Sequence, residues 1–184
     1  MPNPRRVRRR AFGVGGAIIA VLCVGALAAR VYLLPASLAE IAPATPLDEQ
    51  ESSLLRMANA ARARAGLTPL KLSRRLLAAA KFHSADMAAR GYLGHDGPGG
   101  DTPADRVRRA GMNYQEIAEN LYSDGCADAA GDAGAANPSA RALAAWMANP
   151  ARRANLLSTR FRATAVAISR APDGACYVTQ DFIR

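Results

Sequence analysis

The sequence contains two histidines, His83 and His95, in different settings. His95 lies in Gly94-His95-Asp96-Gly97-Pro98, a stretch broken by glycine and proline that favours a loop able to present a polar ring to a cleft. His83 falls on the apolar stripe Leu76, Ala80, His83, Met87 and reads as a hydrogen-bonded core histidine. Glu119 stands in the apolar run Ile117-Ala118-Glu119-Asn120-Leu121. Burial is expected there, so its carboxylate must find a partner or keep a proton. Together, His95 and Glu119 are the residues best suited to acid–base work or to a share in a metal site. Much other chemistry is excluded. The sequence has no helix carrying two zinc-binding histidines, no Gly-x-Ser-x-Gly elbow, no Gly-x4-Gly-Lys phosphate loop and no Cys-x-x-Cys pair.

The elements that must position these residues are legible in the spacing. Thr45-Pro46 with Asp48 supplies a cap, a proline for the first turn and an acid for the positive end of the dipole, which predicts a helix to about Ala65 before Gly66. A second helix is expected from Ser73 to about Arg90, with Gly91 beyond its end. Thr102-Pro103-Ala104-Asp105 repeats the cap pattern and opens a short helix through Arg109. Arg106, Arg108 and Arg109 read as its solvated face, with anion binding as the alternative. Ile117 to Tyr122 fits a strand or a helical turn. Ser123 to Asn137 has too little apolar bulk to bury and reads as an exposed loop. Asn137-Pro138 and Asn149-Pro150 open two further helices, with Trp146 and Met147 in the core. Thr164 to Ser169 and Cys176 to Phe182 read as strands joined by a turn at Pro172-Asp173-Gly174. Helices around a small antiparallel sheet, an α+β arrangement, follow from this order.

The net charge of +9 invites a nucleic-acid reading, but six of the 24 basic residues lie at Arg5, Arg6, Arg8, Arg9, Arg10 and Arg30, and no acid precedes Glu40. The rest of the chain holds 18 basic against 15 acidic residues, a net +3, so no nucleic-acid partner is expected. Residues 1–10 read as a basic cytoplasmic flank and residues 11–34 as a transmembrane signal anchor or a cleaved signal peptide; either places the remainder of the chain outside the membrane. Arg9-Arg10 also resembles the start of a twin-arginine export signal. Residues 35–46 read as a linker and 47–184 as one folded domain. Cys23 fills the apolar segment, whereas Cys126 and Cys176 face an oxidising exterior, where a disulfide is expected and two free thiols are the alternative.

Five segments in order carry a family resemblance: Asn59 to Leu70; Ala80 to Ala88 with Gly94-His95; Ala118-Glu119-Asn120-Leu121; Ala145 to Leu157; and Tyr177 to Phe182. They resemble bacterial members of the CAP superfamily, the cysteine-rich secretory, antigen 5 and pathogenesis-related proteins, also called SCP-like. The resemblance implies a three-layer α-β-α sandwich with a cleft that binds a divalent metal in some members. It implies His95, Glu119, Asn120, Arg152 and Arg153 as cleft or ligand-binding residues. Arg152 stands where the family places its second cleft histidine, and a guanidinium that stays protonated is no zinc ligand. With His95 and Glu119 as the only metal candidates, no cofactor is expected, and Arg152 is expected to pair with Glu119 or bind an anion. Arg153, Asn155 and Gln180 are expected to tie loop carbonyls near the cleft.

The function expected is a monomeric, non-enzymatic binding or interaction module of the cell envelope, membrane-anchored rather than secreted. Its partner is a small lipid-like or anionic ligand, or an envelope component. The alternative is a metal-assisted, protease-like hydrolase with Glu119 as base, His95 as acid or ligand and Arg152 on a developing oxyanion.

Overall fold

The computed structural model describes residues 46–126 and 137–184; the expectations for residues 1–45 lie outside them. Helix α1 (Glu49–Arg64) starts one turn later than the sequence suggested, because the capping box is built by Asp48 and Glu51. Asp48 Oδ1 accepts from the Glu51 amide, and Glu51 Oε2 accepts from the Asp48 amide. An acidic cap suits the positive helix end better than a threonine followed by proline.

A two-residue strand, β1 (Lys71–Leu72), was not anticipated and is too short to leave a periodic signal. Helix α2 (Arg74–Arg90) runs from the Ser73 cap to Gly91, whose φ of 65° closes it in the left-handed conformation. Helix α3 (Pro103–Arg109) carries the expected Thr102–Asp105 capping box. The ambiguous run after it is a strand, β2 (Ile117–Gly125). Ser123 to Gly125 therefore belong to the sheet and not to the expected loop, of which residues 127–136 lie outside the described ones. Helices α4 (Pro138–Ala148) and α5 (Pro150–Leu156) begin at the asparagine caps read from the sequence. Strands β3 (Ala163–Arg170) and β4 (Ala175–Ile183) form the hairpin around Pro172-Asp173-Gly174, where Gly174 has a φ of 85°.

The strands make one four-stranded sheet in the order β1-β3-β4-β2. It is mixed and not wholly antiparallel, since β1 pairs parallel to β3. Alternation along each strand sends side chains to two faces. On one face Ala165, Ala167 and Ile183 pack against Leu76, Leu77, Ala79 and Ala80 of α2 and Val107 of α3. On the other, Val166 and Val178 pack against Leu54 of α1 with Ala142 and Trp146 of α4, and Phe182 packs with Ala58, Ala61 and Leu156. Helices thus cover both faces.

Two buried polar side chains close the scaffold. Glu51 Oε1 accepts from the Ile168 amide at 3.2 Å, serving a β3 residue that lies beyond the reach of short β1. Arg62 donates to the carbonyls of Thr68, Leu156 and Ser158, the loop-tying role the sequence had assigned to Arg153, which lies exposed on α5. A planar guanidinium serves several carbonyls from inside the core, where water does not compete for its donors. Cys126 and Cys176 are joined in the expected disulfide.

Candidate functional site

The site grows from the alternation of β2. Ile117, Glu119 and Leu121 face α2, whereas Ala118, Asn120 and Tyr122 face α1, α4 and α5. The adjacent residues Glu119 and Asn120 therefore straddle the outer strand of the sheet. On the α5 side, Asn120 Nδ2 donates to the Arg152 carbonyl (3.0 Å), and Asn155 Nδ2 donates to Asn120 Oδ1 (2.9 Å). Asn120 thus pins α5 to β2 and is a framework residue of the cleft. Trp146 Nε1 donates to the Leu121 carbonyl at 3.0 Å and fixes α4 on the same strand.

On the α2 side Glu119 is buried, its side chain only 2% exposed, and both its oxygens are engaged. Oε1 accepts from Nδ1 of His95 at 2.7 Å. Oε2 accepts from Nη2 of Arg106 at 2.9 Å. His95 holds the loop position read from the sequence, and its ring is 59% exposed. Its hydrogen bond to Glu119 raises the imidazole above the ordinary histidine value, against burial and the charges of Arg152 and Arg106.

Arg106 is the principal correction to the sequence reading. It does not lie on a solvated face; its side chain is 1% exposed. It donates to Glu119, to the His95 carbonyl (2.9 Å), and to the carbonyl and carboxylate of Asp101 (3.2 and 3.4 Å). It therefore takes the partnership with Glu119 expected of Arg152, and it also clamps the histidine loop to the sheet. Arg152 is half-buried on α5 and makes no ion pair among the described residues, but it lies near enough for its charge to act on His95.

His83 is fully buried, as expected of a core residue. Its Nε2–H donates to the Gly94 carbonyl at 2.9 Å, immediately before His95 in the chain, and lies 3.9 Å from Glu119 Oε2. Burial lowers it below the ordinary histidine value, so it stays neutral beside Arg106. Gln180 bonds the Thr164 hydroxyl at 3.2 Å and reaches no loop carbonyl.

Sequence reasoning missed Asp181. It sits directly across the β2–β4 register from Glu119 and is almost wholly buried. Its other neighbour in the row is Ala165, which offers no compensating group. Burial, then the Glu119 charge, hold its carboxyl well above the ordinary range, and its Oδ1 is buried with no hydrogen-bond partner among the described residues. Asp181 and Glu119 thus form a buried carboxyl pair in which Asp181 is the member pushed towards its protonated form. The sequence did hold a signal, because Asp181 falls inside the run Cys176 to Phe182 read as a strand, where a buried carboxyl needs a partner or a proton.

The donor set does not fit a zinc ion. Both Glu119 oxygens already accept hydrogen bonds, and His83 turns an N–H and not a lone pair towards the site. Among the described residues no three His, Cys, Asp or Glu side chains are arranged to hold a metal.

Residues 55–182 match the model of the cysteine-rich secretory protein family, CAP. The chain belongs to this family. It is 28% identical over 133 residues to the uncharacterized protein YkwD of Bacillus subtilis (strain 168), covering 72% of this chain and 46% of that protein. Its fold is similar to that of an extracellular protein containing an SCP domain from Bacillus anthracis str. Ames, with a TM-score of 0.59 and 27% identity over 76% of this chain and 45% of the other. An outer surface protein from Borrelia burgdorferi shares the fold with a TM-score of 0.64 at 18% identity, over 76% of this chain and 96% of that protein. The chain spans about half the length of the two Bacillus relatives.

Proposed function

We propose that this CAP domain is an envelope-exposed binding module whose cleft mouth, at His95 and Arg152, takes the anionic group of a small or amphipathic ligand. The observation that carries this reading is the double engagement of Glu119. A carboxylate that accepts from Arg106 and His95 at once is stabilised in its charged form by both donors, which weakens it as a base towards water. It acts instead as an internal counter-ion that favours the cationic form of His95. At the site the carboxylates of Glu119 and Asp101 stand against Arg106, His95 and Arg152, which leaves the cleft mouth with an excess of cationic groups. The exposed face of His95 and the guanidinium of Arg152, in no ion pair among the described residues, supply the attraction. The extracellular and surface character of the similar structures supports an envelope location. Residues 11–34, read as a membrane anchor, would tether the domain there.

The test is an NMR titration of the His95 ring with inorganic phosphate and, separately, with octanoate, in the natural domain and in Arg152→Ala, with His95→Ala used to assign the ring resonance. Saturable shifts at His95 that weaken in Arg152→Ala support the reading. Absence of shifts from both probes refutes it. The hydrolase reading requires Glu119 to be free, and appears as peptide cleavage that is lost in Glu119→Gln.

A further inference from the structure

The register of the sheet gathers basic residues at one end of the domain. Lys71, Ala163, Ile183 and Ile117 form a single row across all four strands. Just beyond the row lie Arg162 and Arg184, held by Arg162 N–H to the Ile183 carbonyl and Arg184 N–H to the Glu116 carbonyl. Helix α2 starts at the same end, where Ser73 N–H bonds the Thr164 carbonyl, and so adds Arg74 and Arg75. Lys71, Arg74, Arg75, Arg162 and Arg184 are all exposed, and none has a carboxylate partner among the described residues. The acids nearby are already committed, Glu116 to Arg160 and Asp105 to Arg108. The field of this end reaches inward: after burial, the charge of Arg162 is what lowers buried Arg62.

Two further features give the patch direction. Helix α2 has Arg74 and Arg75 but no acid in its first turn; α1 and α3 place acids there, and α4 and α5 do not. Cations at a helix start oppose the macrodipole, a local cost that an external anion would offset. Between Lys71 and Arg74 stands Leu72, one of two large apolar side chains left exposed among the described residues, at 39%. An exposed apolar side chain at an end of the domain that also carries Lys71, Arg74, Arg75, Arg162 and Arg184 matches a headgroup layer, with phosphates outside and acyl chains beneath. A nucleic-acid backbone offers no such apolar layer.

We propose that this end of the domain docks on an anionic phospholipid bilayer, with Leu72 entering the headgroup region and Lys71, Arg74, Arg75, Arg162 and Arg184 meeting the phosphates. The surface is separate from the cleft and does not depend on what the cleft binds.

The experiment is vesicle co-sedimentation of residues 38–184, a compact unit whose core clusters close among residues 47–183. Phosphatidylcholine vesicles with and without phosphatidylglycerol are compared. Partition is expected only with phosphatidylglycerol, weakening with salt, and falling about fivefold for each cation removed. Arg74→Glu/Arg75→Glu is the decisive variant, because acids in the first turn suit the dipole and its thermal midpoint should not fall. Arg56→Glu, exposed on α1, should partition almost as the natural domain does. The proposal is overturned by no partition into phosphatidylglycerol vesicles, or by an equal loss in Arg56→Glu. Tighter binding to duplex DNA than to those vesicles at the same salt also overturns it, and assigns the face to a different polyanion.

Discussion

Replacing Arg106 by methionine should destabilise the domain by about 3–5 kcal/mol at neutral pH, the cost of removing one partner from a buried ion pair. The substitution keeps an apolar stem of similar reach. It removes the 2.9 Å donor to Glu119, the bond to the His95 carbonyl and both bonds to Asp101. Glu119 would then keep only the solvent-facing His95 as counter-charge, with Asp181 beside it. Removing His95 instead should cost only about 0.2–1 kcal/mol, since that ion pair has one partner 59% exposed and is screened accordingly. Urea unfolding followed by circular dichroism at pH 7 and pH 5 provides the assay. In Arg106→Met the loss should shrink in acid, because protonating Glu119 relieves the uncompensated buried charge. A loss below about 1 kcal/mol, or one of the same size at both pH values, would refute the assignment of Arg106 as the neutralising partner.

Other outcomes are expected at the same site. His95 should titrate above the ordinary histidine value in the natural domain and lower in Glu119→Gln, as read from its ring resonances. Because the folded-state value is raised, this contribution to stability is complete below pH ~6.5 and is lost as pH rises through the His95 titration; anion affinity at the cleft mouth should fall over the same range. Asp181→Asn should raise the urea midpoint at pH 7, since a carboxyl raised in the folded state opposes folding above its unfolded value and the neutral amide carries no such penalty. Cys126→Ser/Cys176→Ser should lower stability by about 2–4 kcal/mol, given a bridge that closes a separation of 50 residues.

The helices were legible wherever a polar cap preceded an apolar stripe, as at Ser73, Thr102, Asn137 and Asn149. Those signals are local and need no tertiary partner. The hairpin was legible for the same reason, through Asp173-Gly174. Strand β1 was not, because a two-residue parallel pairing is decided by β3, more than 90 positions away. At the site, His95 and Glu119 stood out by residue type and context. The partner of Glu119 did not, since three arginines crowd one short helix and only packing against Val107 decides that Arg106 turns inward. Asp181 was missed because its role is set by cross-strand register, which the pattern along a single strand does not reveal.

The account rests on Glu119 serving as a locked counter-ion and not as a metal ligand or base. Calorimetric titration of zinc into residues 38–184 tests this most directly, with inorganic phosphate titrated in parallel below the His95 titration point. The predicted result is no stoichiometric zinc binding, together with phosphate binding that weakens when the titration is repeated above the His95 titration point. Tight zinc binding at one ion per domain, displacing Arg106 from Glu119, would contradict it.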